Sequence, residues 1–263
     1  ANDECLAFIN IPIIKHISKY ITLISKLKSI IPKHEKSLIF VYGVSSPFIK
    51  AVSELKQSGW NKIQICLIVP DLPQYMVDTK NIFYHKLKKI DFKIIEKHMN
   101  QIDSFVFLTK YMIDFIDVNS RPWTIVEGVI NNNYKIDVKK EKYKTILYTG
   151  NLDERYGVLT LLEAFKLIKD KNYRLWIRGN GKTKDKVIEE ALIDQRITYF
   201  DEMPIKELYK LLKRATVLIN PVKSSEEFTK YFFPSKIMNY LASGTPVIST
   251  YIKGIPEEYL NYL

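Results

Sequence analysis

Residues 217–250 read Val-Leu-Ile-Asn-Pro-Val-Lys-Ser-Ser-Glu-Glu-Phe-Thr-Lys-Tyr-Phe-Phe-Pro-Ser-Lys-Ile-Met-Asn-Tyr-Leu-Ala-Ser-Gly-Thr-Pro-Val-Ile-Ser-Thr. The pattern predicts a buried strand at 217–219, a polar loop to Phe233, a helix from about Pro234 to Ser243 stopped by Gly244, and a second buried strand at 247–249. In a parallel sheet such a unit places its loop and helix start at the C-terminal edge of the strands, where these sheets bind ligands. The helix opens on Pro234, Ser235 and Lys236, which together offer backbone N–H groups, a hydroxyl and an ammonium to a single anion. Proline at a helix start and glycine at its end are also ordinary punctuation, so the motif has to be weighed with its surroundings.

Reading outward, strands alternate with helices throughout. The first series is a helix at 11–31, a strand at 37–42, a helix at 47–57, a strand at 63–69, a lysine-rich helix at 78–99, a strand at 104–108, a helix at 110–116 and a strand at 123–126. A polar stretch at 131–144, with three consecutive asparagines and five lysines, has the character of a linker. The second series runs strand 145–149, helix 158–169, strand 173–177, helix 184–192, strand 197–200, helix 204–214 and then the opening unit. This is an α/β chain of two Rossmann-like, doubly wound parallel-sheet domains, expected at 1–134 and 145–263 with a linker at 135–144 and an active site in the cleft between them.

The 263 residues carry 40 Lys+Arg against 29 Asp+Glu, a net charge of +11 spread over both halves, which favours an anionic partner. Two cysteines, Cys5 and Cys66, argue against a disulfide framework and for a reducing compartment. No apolar run is long enough to span a membrane, and the first residues lack the signature of a secretion signal, so a cytoplasmic location is expected. The 11–31 helix has an apolar side (Ile13, Ile14, Ile17, Tyr20, Ile21, Ile24, Leu27, Ile31) and a basic one. Packing against a sheet is the simpler reading of that helix, and peripheral contact with an anionic membrane, aided by Lys80, Lys86, Lys88, Lys89, Lys93 and Lys97, is the other.

In the second half three loops end strands on one sheet edge: 150–157, 178–181 and 223–233. Glycines in the first two allow close backbone approach to a ligand. A nucleoside diphosphate laid across this edge would present its phosphates to Gly150, Arg155, Ser235 and Lys236, with its base toward the Phe200–Met203 loop. The four histidines are scattered and no Asp-x-Asp occurs, so no bound metal is expected.

Tyr-Thr-Gly-Asn-Leu at 148–152, Trp-Ile-Arg-Gly-Asn-Gly at 176–181, Tyr-Phe-Asp-Glu-Met-Pro at 199–204 and Phe-Pro-Ser-Lys at 233–236, followed by Tyr-Leu-Ala-Ser-Gly-Thr-Pro-Val at 240–247, resemble in order and spacing the donor half of the retaining glycosyltransferase family 4, of GT-B fold. Val-Pro-Asp-Leu-Pro at 69–73, Leu-Thr-Lys-Tyr-Met at 108–112 and Val-Glu-Gly-Val at 126–129 look like its acceptor half.

The resemblance implies an enzyme of bacterial surface-polysaccharide synthesis. It would move a sugar, with retention, from a nucleotide-sugar (a UDP-sugar foremost) to a lipid-linked or surface glycan, without metal or nucleic acid. Arg155, Lys236 and Glu227 would do the catalytic work. Gly150, Asn151, Arg178, Gly179, Gly181, Met203, Phe233, Ser235 and Asn239 would hold the donor. Two departures stand out. The family's paired glutamates, eight positions apart, fall on Tyr231 and Asn239. The acceptor half also lacks its opening strand and glycine-rich loop, and the chain stops before the closing helices, as expected of a shortened protein. A nucleotide- or nucleic-acid-binding regulator and a UDP-sugar epimerase of the same fold are the competing readings.

Overall fold

A computed structural model describes residues 3–12, 14–72, 82–130 and 136–263, with the backbone alone over 82–85. Pro73, Lys80 and the expected helix start at 78–81 lie outside the described residues, as do 131–135. The chain divides into two compact units, Ala1–Val126 and Glu127–Leu263.

The first unit holds helices α1 (Ile14–Ile30), α2 (Ser46–Gln57) and α3 (Ile82–Met99) and strands β1 (Ser37–Tyr42), β2 (Ile63–Val69), β3 (Ser104–Phe107) and β4 (Trp123–Ile125). All strand pairs are parallel and the order β1-β2-β3-β4 follows the sequence. Right-handed crossovers between neighbours taken in that order put α2 and α3 on the same face. Ile63, Ile65, Leu67 and Val69, which alternate along β2, are buried, and so are Ile49, Val52 and Leu55 of α2. Lys56 of α2 donates to both oxygens of Asp103 at 2.6 and 2.7 Å, and Asp103 accepts the Ile65 N–H at 2.8 Å, so one carboxylate joins helix, strand and the entry to β3.

Two expectations need correction here. The apolar side of α1 is not buried: Ile14, Ile17, Ile21 and Ile30 are exposed, and among its described residues only Leu27 is buried. The helix leans on α2 instead of the sheet, through a Tyr20–Glu54 hydrogen bond and the Lys50 ammonium 4.3 Å above the Tyr20 ring. The helix expected at 110–116 is a 3₁₀ turn, Lys110–Phe115, the tighter geometry that short runs adopt.

The second unit contains β5 (Lys144–Thr149), α4 (Val158–Leu167), β6 (Tyr173–Arg178), α5 (Lys184–Ile193), β7 (Ile197–Phe200), α6 (Ile205–Arg214), β8 (Val217–Asn220), α7 (Ser235–Ser243) and β9 (Val247–Ser249). Its five parallel strands run β7-β6-β5-β8-β9. The chain winds outward from β5 to β7, then α6 carries it back across β5 to start the other side. Tyr148, Leu162, Phe165, Leu175, Ile177, Val187 and Ile197 form one core beneath α4 and α5. The end of the expected linker is strapped to this unit: Lys140 Nζ donates to the Ala215 carbonyl at 2.7 Å and to Thr245 Oγ1 at 3.0 Å, and Glu141 pairs with Arg214. Its polarity serves these contacts.

Candidate functional site

The strand order reverses between β5 and β8, and the C-terminal edge of a sheet at such a reversal is the place where open α/β sheets take ligands. Three loops meet there, and backbone bonds knit the first two. Gly150 N–H donates to Arg178 O at 3.0 Å, Leu152 N–H to Asn180 O at 2.8 Å and Thr183 N–H to Leu152 O at 3.1 Å. The glycines make this contact possible. A Cβ on Gly179 (φ +148°) would stand 1.8 Å from the Gly150 carbonyl oxygen, and one on Gly181 (φ +156°) 2.7 Å from Asn151 Oδ1 and from the Leu152 backbone. Gly157 (φ +81°) does the same for the third loop, its absent Cβ lying 1.9 Å from Pro221 O. The close approach of 157, 179 and 181 is therefore loop to loop. Gly150 (φ +144°) differs, because its bare side looks at the Lys236 ammonium, 3.1 Å from an added Cβ.

Lys236 lies in the first turn of α7, whose N-terminus carries no side-chain cap. First-turn N–H groups have no partner within a helix, and here the Ile237 N–H is taken by Pro234 O at 2.8 Å. The Lys236 side chain runs inward until its ammonium stands 4.1 Å over the Tyr148 ring. That ammonium is buried without a hydrogen-bond partner. Desolvation brings it down from the usual lysine range to about 7. Tyr148 in turn donates to Asn151 O at 2.6 Å, and burial pushes its phenol far above the ordinary value. Tyr240, four residues along α7, accepts the Thr149 N–H at 2.8 Å and so pins the end of β5 beneath the helix.

A second buried nitrogen without a partner, Arg178 Nε, lies at the end of the adjoining strand β6. Its guanidinium reaches the Met203 carbonyl at 3.5 Å, which is how Met203 enters the site, by backbone and not by side chain. Asn220, ending β8, has its Nδ2 on Ser249 Oγ at 2.9 Å and its Oδ1 buried without a partner. Unsatisfied buried polar atoms are few in folded proteins and call for an explanation. Here two cationic donors and one acceptor are gathered on one sheet edge, and the donors suit an anion.

Other predicted residues are placed differently. Arg155 stacks on Tyr156 (5.0 Å) and Phe228 (5.1 Å) and donates to the Tyr156 hydroxyl at 3.1 Å. With Phe232 those rings form a cluster at 5.8–6.2 Å spacings that joins the loop after β5 to the loop after β8. Glu227 sits in a 3₁₀ turn, Glu227–Lys230, with its side chain 69% exposed and 3.4 Å from Lys230. Phe233 is buried against Tyr259 and has a packing role. Ser235 is exposed at the helix start, and Asn151 Oδ1 is engaged by the Asp153 N–H at 2.7 Å. Asn239 Oδ1 accepts from the Tyr209 hydroxyl of α6 at 2.8 Å, which leaves its amide N–H₂ as the group to offer a ligand. Sequence reasoning missed Tyr148, Tyr240 and Asn220. The available signal was that a buried tyrosine hydroxyl needs a partner, so a tyrosine inside an apolar strand next to Thr-Gly marks a polar contact at the strand end. Among the described residues no three His, Cys, Asp or Glu side chains group as metal ligands, and no helix is long and apolar enough to cross a membrane.

Residues 143–261, most of the second unit, match the family model described as Glycosyl transferases group 1. Among curated protein sequences none matches the chain. Solved structures share the fold. Sucrose-phosphate synthase from Thermosynechococcus elongatus aligns at a TM-score of 0.69 and 17% identity, over 96% of this chain and 67% of its own. WaaG, a glycosyltransferase involved in lipopolysaccharide biosynthesis, aligns at 0.64 and 14%, over 99% and 73%. The pneumococcal O-GlcNAc transferase GtfA in complex with UDP and GlcNAc aligns at 0.58 and 14%, over 89% of this chain but 46% of its own. The chain thus spans between about half and three-quarters of these relatives.

Proposed function

We propose that this protein transfers a sugar from a nucleotide-sugar, with a UDP-sugar as the first candidate, to a lipid-linked or surface glycan. The observation that carries the reading is the pair of buried, unpartnered cationic nitrogens, Lys236 Nζ and Arg178 Nε, on the switch-point edge of the second sheet. A diphosphate supplies the oxygens both lack, and charge-assisted bonds of this kind are the strong class of hydrogen bond. UDP in the GtfA complex, and the involvement of WaaG in lipopolysaccharide biosynthesis, support the choice of donor and the acceptor class.

In this reading Lys236, the free N–H groups opening α7 and Arg178 hold the diphosphate, and Arg155, kept in place by Tyr156 and Phe228, faces the charge that grows on it. Breaking the bond from the anomeric carbon to the diphosphate oxygen leaves that electron pair on the phosphate. Fixed positive charge preorganised at the position lowers the barrier. The acceptor hydroxyl attacks the sugar on the face the diphosphate leaves and gives its proton to the departing phosphate oxygen, which gives retention. The Asn239 amide N–H₂ meets a ribose hydroxyl, Met203 borders the base, and the leaving group's charge is met by side chains and backbone without a metal. Peripheral contact at the inner face of a membrane through the exposed isoleucines of α1 fits a lipid-linked acceptor.

Thermal-shift titration against UDP-, GDP-, ADP- and dTDP-sugars, with RNA and DNA as controls, tests the donor class, because a ligand that binds only the folded state raises its stability by mass action. UDP-sugars should raise the transition temperature. A rise with nucleic acid and none with any nucleoside diphosphate would overturn the proposal. Proton NMR of the product's anomeric signal separates retention from inversion.

A further inference from the structure

The ammonium of Lys236 sits where the diphosphate is proposed to bind, and this inference rests on that reading. The side chain arrives from α7, lies on the Tyr148 ring and faces the Gly150 backbone, and its nitrogen is sealed from water with no acceptor in reach. A charged group held in this way lacks both solvation and a counter-charge, and the neutral form is favoured.

We propose that Lys236 takes up one proton when a nucleoside diphosphate binds: sealed from water and without an acceptor, the side chain is held as the neutral amine until the entering phosphate oxygens convert it to the ammonium. The balance is simple. The lone pair of Nζ accepts a proton from solvent or buffer, no covalent bond to the ligand forms, and the new positive charge offsets one negative charge of the diphosphate.

The neighbours allow this. From β5 comes Tyr148, whose phenol is held neutral by burial, and from α7 itself Tyr240, pushed up to about 12 by burial. The loop after β5 brings the Gly150 backbone, together with Asp153, which is bonded to the Lys182 N–H, and Arg155, which is stacked on its rings. The end of β6 brings Arg178, and the 3₁₀ turn before α7 brings Glu227 and Lys230, paired with each other. Burial alone accounts for the depression of Lys236 to about 7, with no charged neighbour contributing. A bound diphosphate acts in the opposite direction, as an opposite charge in contact raises the affinity of an amine for its proton. Affinity should therefore fall about tenfold per pH unit from the free-state value upward, until the bound-state value is reached.

The test is calorimetric titration of UDP at pH 8 in Tris and in HEPES, whose protonation enthalpies differ, so that the difference in apparent heat counts protons. The unaltered chain should take up close to one proton per UDP. Lys236→Arg, which keeps its charge at any such pH, should take up none. UDP that binds with equal proton counts in the two proteins would sink this inference and leave the donor reading standing. If UDP gives no heat and no thermal shift, the donor reading fails, and the lysine is followed directly by carbon-13 NMR of the Cε signals of the unaltered chain. One lysine titrating near neutrality, missing from Lys236→Arg, that moves up with inorganic pyrophosphate would sustain the proton uptake. Every lysine titrating near the ordinary value of about 10.4 would end it.

Discussion

The two units use one building rule and reach different ends. In both, a parallel sheet is made from short apolar strands joined through helices, and in both the first strand runs out into a glycine with positive φ, Gly43 at +94° and Gly150 at +144°. A Cβ on Gly43 would meet nothing within 4 Å, whereas Gly150 faces the Lys236 ammonium and lies against Gly179. The described strands of the first sheet follow sequence order, so its loops leave the edge without a reversal. The second sheet reverses direction at β5 and β8, and its loops converge there. The same local sequence feature, an apolar strand ending in glycine, becomes a site only where the topology directs two loops and a helix start at it.

The largest effect should separate the two kinds of glycine. Gly179→Ala drives a methyl group into the Gly150 carbonyl at 1.8 Å, and backbone cannot yield there. It should cost on the order of 3 kcal/mol and abolish UDP binding, as read by urea unfolding and calorimetry. Gly43→Ala carries only the conformational cost of positive φ, roughly 1–2 kcal/mol, and should leave UDP binding intact. Equal losses from the two variants would mean that the second edge is no tighter than the first.

Next in size is Lys236→Met, where stability and binding should move in opposite directions. UDP affinity should drop by about 1.5–3 kcal/mol with the loss of a charge-assisted bond. The empty protein should keep or gain stability, since a desolvated polar nitrogen without a partner is replaced by an apolar chain of similar length. A fall in thermal stability of the empty form would show that the ammonium has a structural partner.

Below the range in which Lys236 changes its charge, a pH effect should be confined to the first unit. His98 is buried beside Ser53, Nδ1 to Oγ 3.1 Å, and desolvation holds its imidazole below the usual 6.5. The unfolded chain takes up that proton first, so stability present above pH 6.5 is lost as pH falls toward the folded value, and little changes below it. No histidine follows residue 98, so hydrogen exchange between pH 6.5 and 5 should show protection falling around α2 and α3 and not around β5 and β6. His98→Gln should remove the slope.

The smallest effect is expected at Asn239. Asn239→Leu removes the amide offered to a ribose and should weaken UDP more than inorganic pyrophosphate, by about 1 kcal/mol. Tyr209→Phe, which removes the hydroxyl that donates to Asn239 Oδ1 and keeps the amide, should weaken UDP less. A Leu variant that lowers stability yet leaves the UDP-to-pyrophosphate ratio unchanged would assign Asn239 to the α6–α7 contact alone.

Much of this was present in the sequence because its causes are local. The apolar runs at 37–42, 63–69 and 197–200 became strands with those bounds, since continuous apolar residues between turn signals suffice for a strand of a parallel sheet, although 37–42, expected to be buried, leaves Leu38, Phe40 and Tyr42 exposed. Pro234 and Gly244 bounded α7 as punctuation does, through the missing N–H of one and the positive φ of the other (φ +70°). What the sequence could not decide depended on packing between distant segments. The stripe on α1 predicted burial, but whether a partner surface lies beneath it is a tertiary fact, and Ile17 and Ile21 stand exposed. Phe-Pro-Ser-Lys pointed to Lys236 as a candidate phosphate ligand by its place at a helix start. Only the fold laid Tyr148, 88 residues earlier, under its ammonium and shut out water, and that burial, a property of the assembled sheet edge, determines whether the lysine waits for its ligand charged or neutral.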